Sequence, residues 1–247
     1  KELGLSKGKV LLALIGGGKC GNIVSPNPNT IIAAENYDAP LSSVMAAGIV
    51  PALVGLAALV FIVLPMLPDK GFSDLKEAEG ARDEKDLPSF LASITGPLVA
   101  VLLMVLRPIF DISIDPAIAL PAGGLAGLLA TRKWKNTGEC LNYGLEKMSP
   151  IAVLLVGTGT IAGVIKASAV KDLLIGLIAG WEGGAVLLAP ISSILMCAAS
   201  ASTTAGATIA SASFAQTVLA AGVNAVWAAA MTNAGATVID HLPHGSF

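Results

Sequence analysis

The stretch "GGGKCGNIVSPNPNT", residues 16–30, decides the fold, because nothing in it suits the apolar sequence on either side. A glycine cluster, a lone lysine, two prolines alternating with asparagines, and a threonine interrupt a hydrophobic run. Pro26 and Pro28 forbid a regular helix here, since proline lacks an N–H and restricts the residue before it. In hydrocarbon, non-helical backbone survives only where protein or trapped water satisfies its N–H and C=O groups. The segment is therefore expected to line a polar cavity at membrane depth.

The surroundings support a membrane setting. Hydrophobic residues make up 54% of the 247, charged residues 13%, and mean hydropathy is +0.77. Soluble domains carry about 25% charged residues. Of the 32 Asp, Glu, Lys and Arg, 11 fall in 69–86 and 6 in 132–147, and the 57 residues between Glu182 and Asp240 carry none. A spanning helix needs ~20 apolar residues. Stretches 39–68, 87–106, 116–131 and 148–165, and two or three passes within 183–239, meet or approach that length. The fold class is all-α, a polytopic transmembrane protein. Aromatics and alternating segments are too scarce for an outer-membrane barrel, and a net charge of −2 argues against a nucleic-acid partner. Three cysteines without metal-ligand spacing point to no metal or cofactor. The start, "KELGLSKGKV", lacks a methionine and a cleavage pattern, and reads as an interior position of a longer protein.

Along the chain, 41–67 reads as one long span with Pro51 inside it, and 69–88 as a solvated, charged connector. A span at 90–106, a short turn from Arg107 to Pro116, a second apolar segment and the basic "TRKWKN" follow. Residues 69–88 and 131–149 carry four Lys and Arg each, whereas the turn between their spans has Arg107 alone. This excess assigns both longer loops to the cytoplasm. Gly157, Gly159 and Gly163 do not have a nucleotide-binding spacing. They read as close helix packing, with a broken or re-entrant helix over 157–171 as the alternative.

A second polar break lies at 199–214, "ASASTTAGATIASASF", where seven of the fourteen residues from Ser200 to Ser213 carry hydroxyls. Sliding the chain by 174 residues brings Thr30 onto Thr204, Ala33 onto Ala207, Val44 onto Val218, and "AAG" at 46–48 onto "AAG" at 220–222. Paired interruptions in corresponding places of two halves are the sequence pointer to a secondary transporter's binding site.

The order of these features resembles the gluconate permease family of the ion transporter superfamily. A Pro-rich hairpin precedes a long span; "VGTGTIAGVIKAS", "SASTTAGATIAS" and a helix running into "GATVIDHLPHGSF" follow. The resemblance is strongest in 10–55 and 151–247, and fits an interior and C-terminal portion of such a protein. It implies inverted repeats with paired re-entrant hairpins or broken helices, and proton-coupled uptake of a sugar acid or hydroxy acid. Residues 1–68 would then end the first repeat, 69–88 form a cytoplasmic loop, and 89–247 form the second repeat.

The expected function is a multi-pass transporter of the inner (plasma) membrane, not an enzyme. It carries a small organic anion such as gluconate by proton symport, with the carboxylate substrate, H+ and the lipid bilayer as partners; a homo-oligomer is compatible with the sequence. Asn27, Asn29 and Thr30 would bind substrate from one break, and Ser202, Thr203 and Thr204 from the other. Backbone amides and Lys19 would balance its carboxylate. Glu35, Asp240 or His241 would carry the proton, since an intramembrane ionisable group is a functional candidate by default. Two alternatives stay open: Na+ in place of H+, and an intramembrane metal-dependent hydrolase using His241 and His244.

Overall fold

The computed structural model describes residues 7–67, 88–110, 114–169, 172–173, 175–176 and 183–240. Every regular element among them is helical, as expected. The chain divides into two compact units, Lys1–Leu75 with Val153–Phe247, and Lys76–Ala152.

The first unit holds both polar breaks. Helix α1, Lys7–Val24, stops at Ser25, and α2, Pro28–Asn36, begins three residues later. The cause is local. Pro26 bars Ser25 from continuing the helix, and Asn27, extended at φ −94° and ψ 171°, caps α2. Pro28 sits at the first helical position, where its missing N–H costs nothing. Helix α3, Leu41–Ala58, contains Pro51 and continues through a π-helical stretch, Leu59–Val63, and a last turn, Leu64–Met66. It packs closely on α1: a Cβ at Gly48 would lie 2.8 Å from Ile23 O.

The second break folds differently. Helix α7 spans Gly184–Ser200 and α8 Thr203–Ala220. Ala201 turns the chain in the left-handed region at φ 47°, a conformation that costs a residue with a Cβ about 1 kcal/mol or more. Gly206 lies against the Cys197 backbone, so α7 and α8 form a tight hairpin. By contrast α2 packs on α8, α3 and α9, Ala225–Ala236, instead of folding back on α1. The first break is thus a discontinuous helix and the second a hairpin. The core among them is small and aliphatic, closed by Phe214, Val218, Val44 and Tyr37.

The second unit holds α4, Phe90–Phe110, and α5, Pro116–Ala130, which Asp115 caps through Ala117 N at 2.7 Å. Their backbones meet at glycines; a Cβ on Gly123 would stand 2.7 Å from Gly96 O. Helix α6, Thr137–Ala167, begins in this unit and ends in the first.

Several expectations change. Residues 131–149 are a loop only to Asn136, because α6 starts at Thr137 and runs 31 residues, about 46 Å at 1.5 Å per residue. Arg107 belongs to α4 instead of a turn. α6 is unbroken through Gly157–Gly163, and a Cβ on Gly157, Gly159 or Gly163 meets nothing within 4 Å among the described residues, so these glycines mark neither a break nor close packing. Two helical stretches, Leu41–Met66 and Trp134–Ala167, are long and apolar enough to cross a bilayer; Phe90–Leu106, Pro116–Ala130 and Gly184–Ser200 are apolar but shorter. The 174-residue slide relates α2 only to the first half of α8, since α2 ends at Asn36 while α8 continues to Ala220. Apart from Pro88, the connector at 69–88 lies outside the described residues.

Candidate functional site

The two breaks meet. Thr204 Oγ1 donates to Asn29 Oδ1 at 2.6 Å, and Asn36 Nδ2 donates to Ser211 Oγ at 2.9 Å. Both bonds join residues 175 apart, so α2 and α8 run side by side in the same direction, with their N-termini together. Helix N-termini carry partial positive charge. At the same end, Lys19 of α1 forms an ion pair with Asp240, whose Oδ2 also accepts from Thr203 Oγ1 at 2.5 Å. Asp240 follows α9 and is buried, 6% exposed. Lys19 stays partly open, its side chain 30% exposed, and lines a groove of about 660 Å³ along α1 with Asn22 and Ser25.

Of the residues expected to bind substrate or proton, the structure brings together Lys19, Asn29, Thr203, Thr204 and Asp240. Asn27, Thr30 and Ser202 make hydrogen bonds within the scaffold. Asn27 Oδ1 accepts Asn29 N at 2.9 Å and Thr30 N at 3.1 Å, while its Nδ2 donates to Asn22 O, Asn22 Oδ1 and Ser25 Oγ at 2.5, 2.6 and 2.9 Å. Thr30 is fully buried and accepts Asn233 Nδ2 at 3.0 Å. Ser202 Oγ caps α8 through Ala205 N at 3.3 Å. Glu35 is exposed on the last turn of α2, away from the cluster. His241 and His244 lie outside the described residues.

The backbone amides divide in the same way. Pro28 has no N–H, and Asn27 takes those of Asn29 and Thr30, so the N-terminus of α2 is closed by its own cap. At α8, Ser202 takes Ala205 N, leaving Thr203 N–H and Thr204 N–H without an acceptor among the described residues. Free donors among these groups lie at the α8 N-terminus, and the cation beside it, Lys19, is paired with Asp240. Only the dipole of α2 adds to them.

Sequence reasoning missed Asn233 in α9. Its Nδ2 donates to Ile23 O at 3.0 Å, satisfying a carbonyl freed where α1 ends, and to Thr30 Oγ1; its Oδ1 is buried without a partner among the described residues. The signal was present: an asparagine inside the uncharged, alanine-rich run "WAAAMTNAGA". Tyr37, at the end of α2, is also buried, with its OH 2.9 Å from Thr232 Oγ1. Among the described residues no group of three or more His, Cys, Asp or Glu could hold a metal ion. Because Asn27 anchors both strands of the break, Asn27→Ala is expected to cost about 1–2 kcal/mol of stability, measured by thermal unfolding of the purified full-length protein in detergent.

Residues 3–122 match the GntP family permease model, and residues 92–181 match the Na+-H+ antiporter family model. The chain is 50% identical over 243 residues to a protein of Haemophilus influenzae described as an uncharacterized transporter. That match covers 98% of this chain and 58% of the relative, so the chain spans well under two thirds of the relative's length. No solved structure matches. Two helices long and apolar enough to cross a bilayer, together with the permease match, point to a membrane protein. The resemblance to the gluconate permease family holds: the first half of the chain carries the sequence pattern of the GntP permeases.

Proposed function

We propose that the protein is a secondary active transporter of the inner membrane, in which this chain binds a small organic anion, such as gluconate or another hydroxy acid, and moves it with protons. One observation carries the reading. Lys19, Asn29, Thr203, Thr204 and Asp240, drawn from four separate segments, converge where two interrupted helices place their N-termini. Cation, amides and hydroxyls suit a carboxylate and its neighbouring hydroxyls. Asp240 is the proton carrier, because it is buried and paired at the point where the anion binds. The permease match and the relative's description support a transporter over an enzyme.

The match to the Na+-H+ antiporter family favours a second reading, with Na+ as the coupling ion. Reconstitution of the full-length protein in liposomes separates the two. Uptake of labelled gluconate or short hydroxy acids is expected to require an inward proton gradient. Thr203→Val, which removes a hydrogen bond to a charged group worth about 1.5–3 kcal/mol, should lower it on the order of tenfold or more. Uptake that ignores pH but needs Na+ selects the second reading. No uptake of any acid by a folded preparation overturns both.

A further inference from the structure

Lys19 is already occupied. Its ammonium holds the carboxylate of Asp240, and that carboxylate sits beside Thr203 at the α8 N-terminus. An arriving anion needs the same cation and the same end of α8. Residues 183–239 carry no charge, and α2 carries only Glu35, at its far end, so among these elements Lys19 is the cation that meets Asp240.

Resting on the transporter reading above, we propose that Asp240 is an internal stand-in for the substrate's carboxylate. A proton on Asp240 releases Lys19, and the substrate's carboxylate takes its place, one proton per carboxylate group. The charge balance argues for this order. Lys19 with Asp240 is neutral; adding an anion alone leaves one uncompensated negative charge in a low-dielectric site, which is costly. A proton taken from solution by a carboxylate oxygen of Asp240 restores neutrality. Lys19 keeps its own proton, and no covalent bond other than that O–H is made. Among the described residues, the groups at the pair include Thr203 from α8, which donates to Asp240, and Cys197 of α7, which stands within electrostatic reach of Lys19. The half-open side chain of Lys19 lets the exchange proceed from the groove that runs along α1, while Asp240 remains inside.

The test counts protons. Purified full-length protein in weakly buffered detergent is titrated with gluconate, lactate and acetate, and both bound anion and protons taken up are measured. The expected result is about one proton per bound carboxylate. In Asp240→Asn the count falls to zero and affinity no longer depends on pH. That variant binds more tightly as well, on the order of tenfold, because an internal competitor that holds most of the population is gone. Lys19→Gln loses binding. Binding by the unaltered protein without proton uptake overturns the proposal even if Asp240→Asn fails to fold. So does an Asp240→Asn protein that still takes up one proton per anion. If the folded, unaltered protein binds none of these acids, the transporter reading itself falls, and the stand-in with it.

Discussion

Lys19→Met is expected to destabilise the full-length protein by about 3 kcal/mol, whereas Asp240→Asn costs distinctly less. The asymmetry follows from burial. The Asp240 side chain is 3% exposed, so losing Lys19 removes the cation beside a buried carboxylate; removing one partner of a buried pair typically costs about 3–5 kcal/mol. Lys19, 30% exposed, can hydrate its ammonium at the groove when Asp240 is neutralised. Asparagine also keeps an oxygen for the Thr203 hydroxyl. Lys19→Met with Asp240→Asn should recover most of the lost stability, because neither charge is then stranded. Yet it should not recover binding of an organic acid, since the cation is gone. Unfolding of the three variants in detergent checks the first statement and anion titration the second. Equal cost for the two single changes would sink the burial argument.

The second large effect concerns a glycine. A Cβ on Gly206 would lie 2.7 Å from both Cys197 Cα and Cys197 Cβ and 2.8 Å from Cys197 N. Backbone cannot yield as a flexible side-chain tip can, so Gly206→Ala must push α8 away from α7. Overpacking of this kind costs about 1–3 kcal/mol, and the upper end applies where the obstacle is main chain. The displacement also reaches function. Thr203 and Thr204 lie within the turn before Gly206, and their bonds to Asp240 and Asn29 are 2.5 and 2.6 Å. Uptake should fall on the order of tenfold, because a hydrogen bond lengthened beyond range loses about 1.5 kcal/mol or more when one partner is charged. Gly159→Ala is the matched control. Among the described residues nothing lies within 4 Å of a Cβ at that position of α6, so alanine should leave stability unchanged or raise it by up to about 1 kcal/mol. A Gly206→Ala protein as stable as the control would refute the close contact.

Much of the site was legible because its ingredients are local. Proline chemistry marked the break at 26–28, and the hydroxyl run marked the one at 200–204. Charge scarcity singled out Lys19 and Asp240. Roles were less legible than residues. An asparagine before a proline offers a carboxamide to a ligand or to its own backbone, and the composition of "SPNPNT" does not choose. The structure engages Asn27 and Ser202 as helix caps and Thr30 with the Asn233 side chain, while Asn29, Thr203 and Thr204 stand where the two breaks meet. The glycines of 157–163 misled for a related reason: a glycine permits close approach, and whether a neighbour makes that approach depends on another part of the chain.

By itself, the sequence determined the all-helical class, the two interruptions and the rarity of charge between them. Each depends on groups a few residues apart: a missing N–H, a cap, an apolar run. Tertiary structure alone decided that α1 and α2 form a discontinuous helix while α7 and α8 form a hairpin. It also decided that α2 and α8 lie parallel, that Lys19 meets Asp240 across 221 positions, and that Asn233 closes the end of α1. Those pairings join segments whose separate sequences carry no mark of each other. They form because an unpartnered buried polar group is costly, and the packed helices determine which partner is within reach.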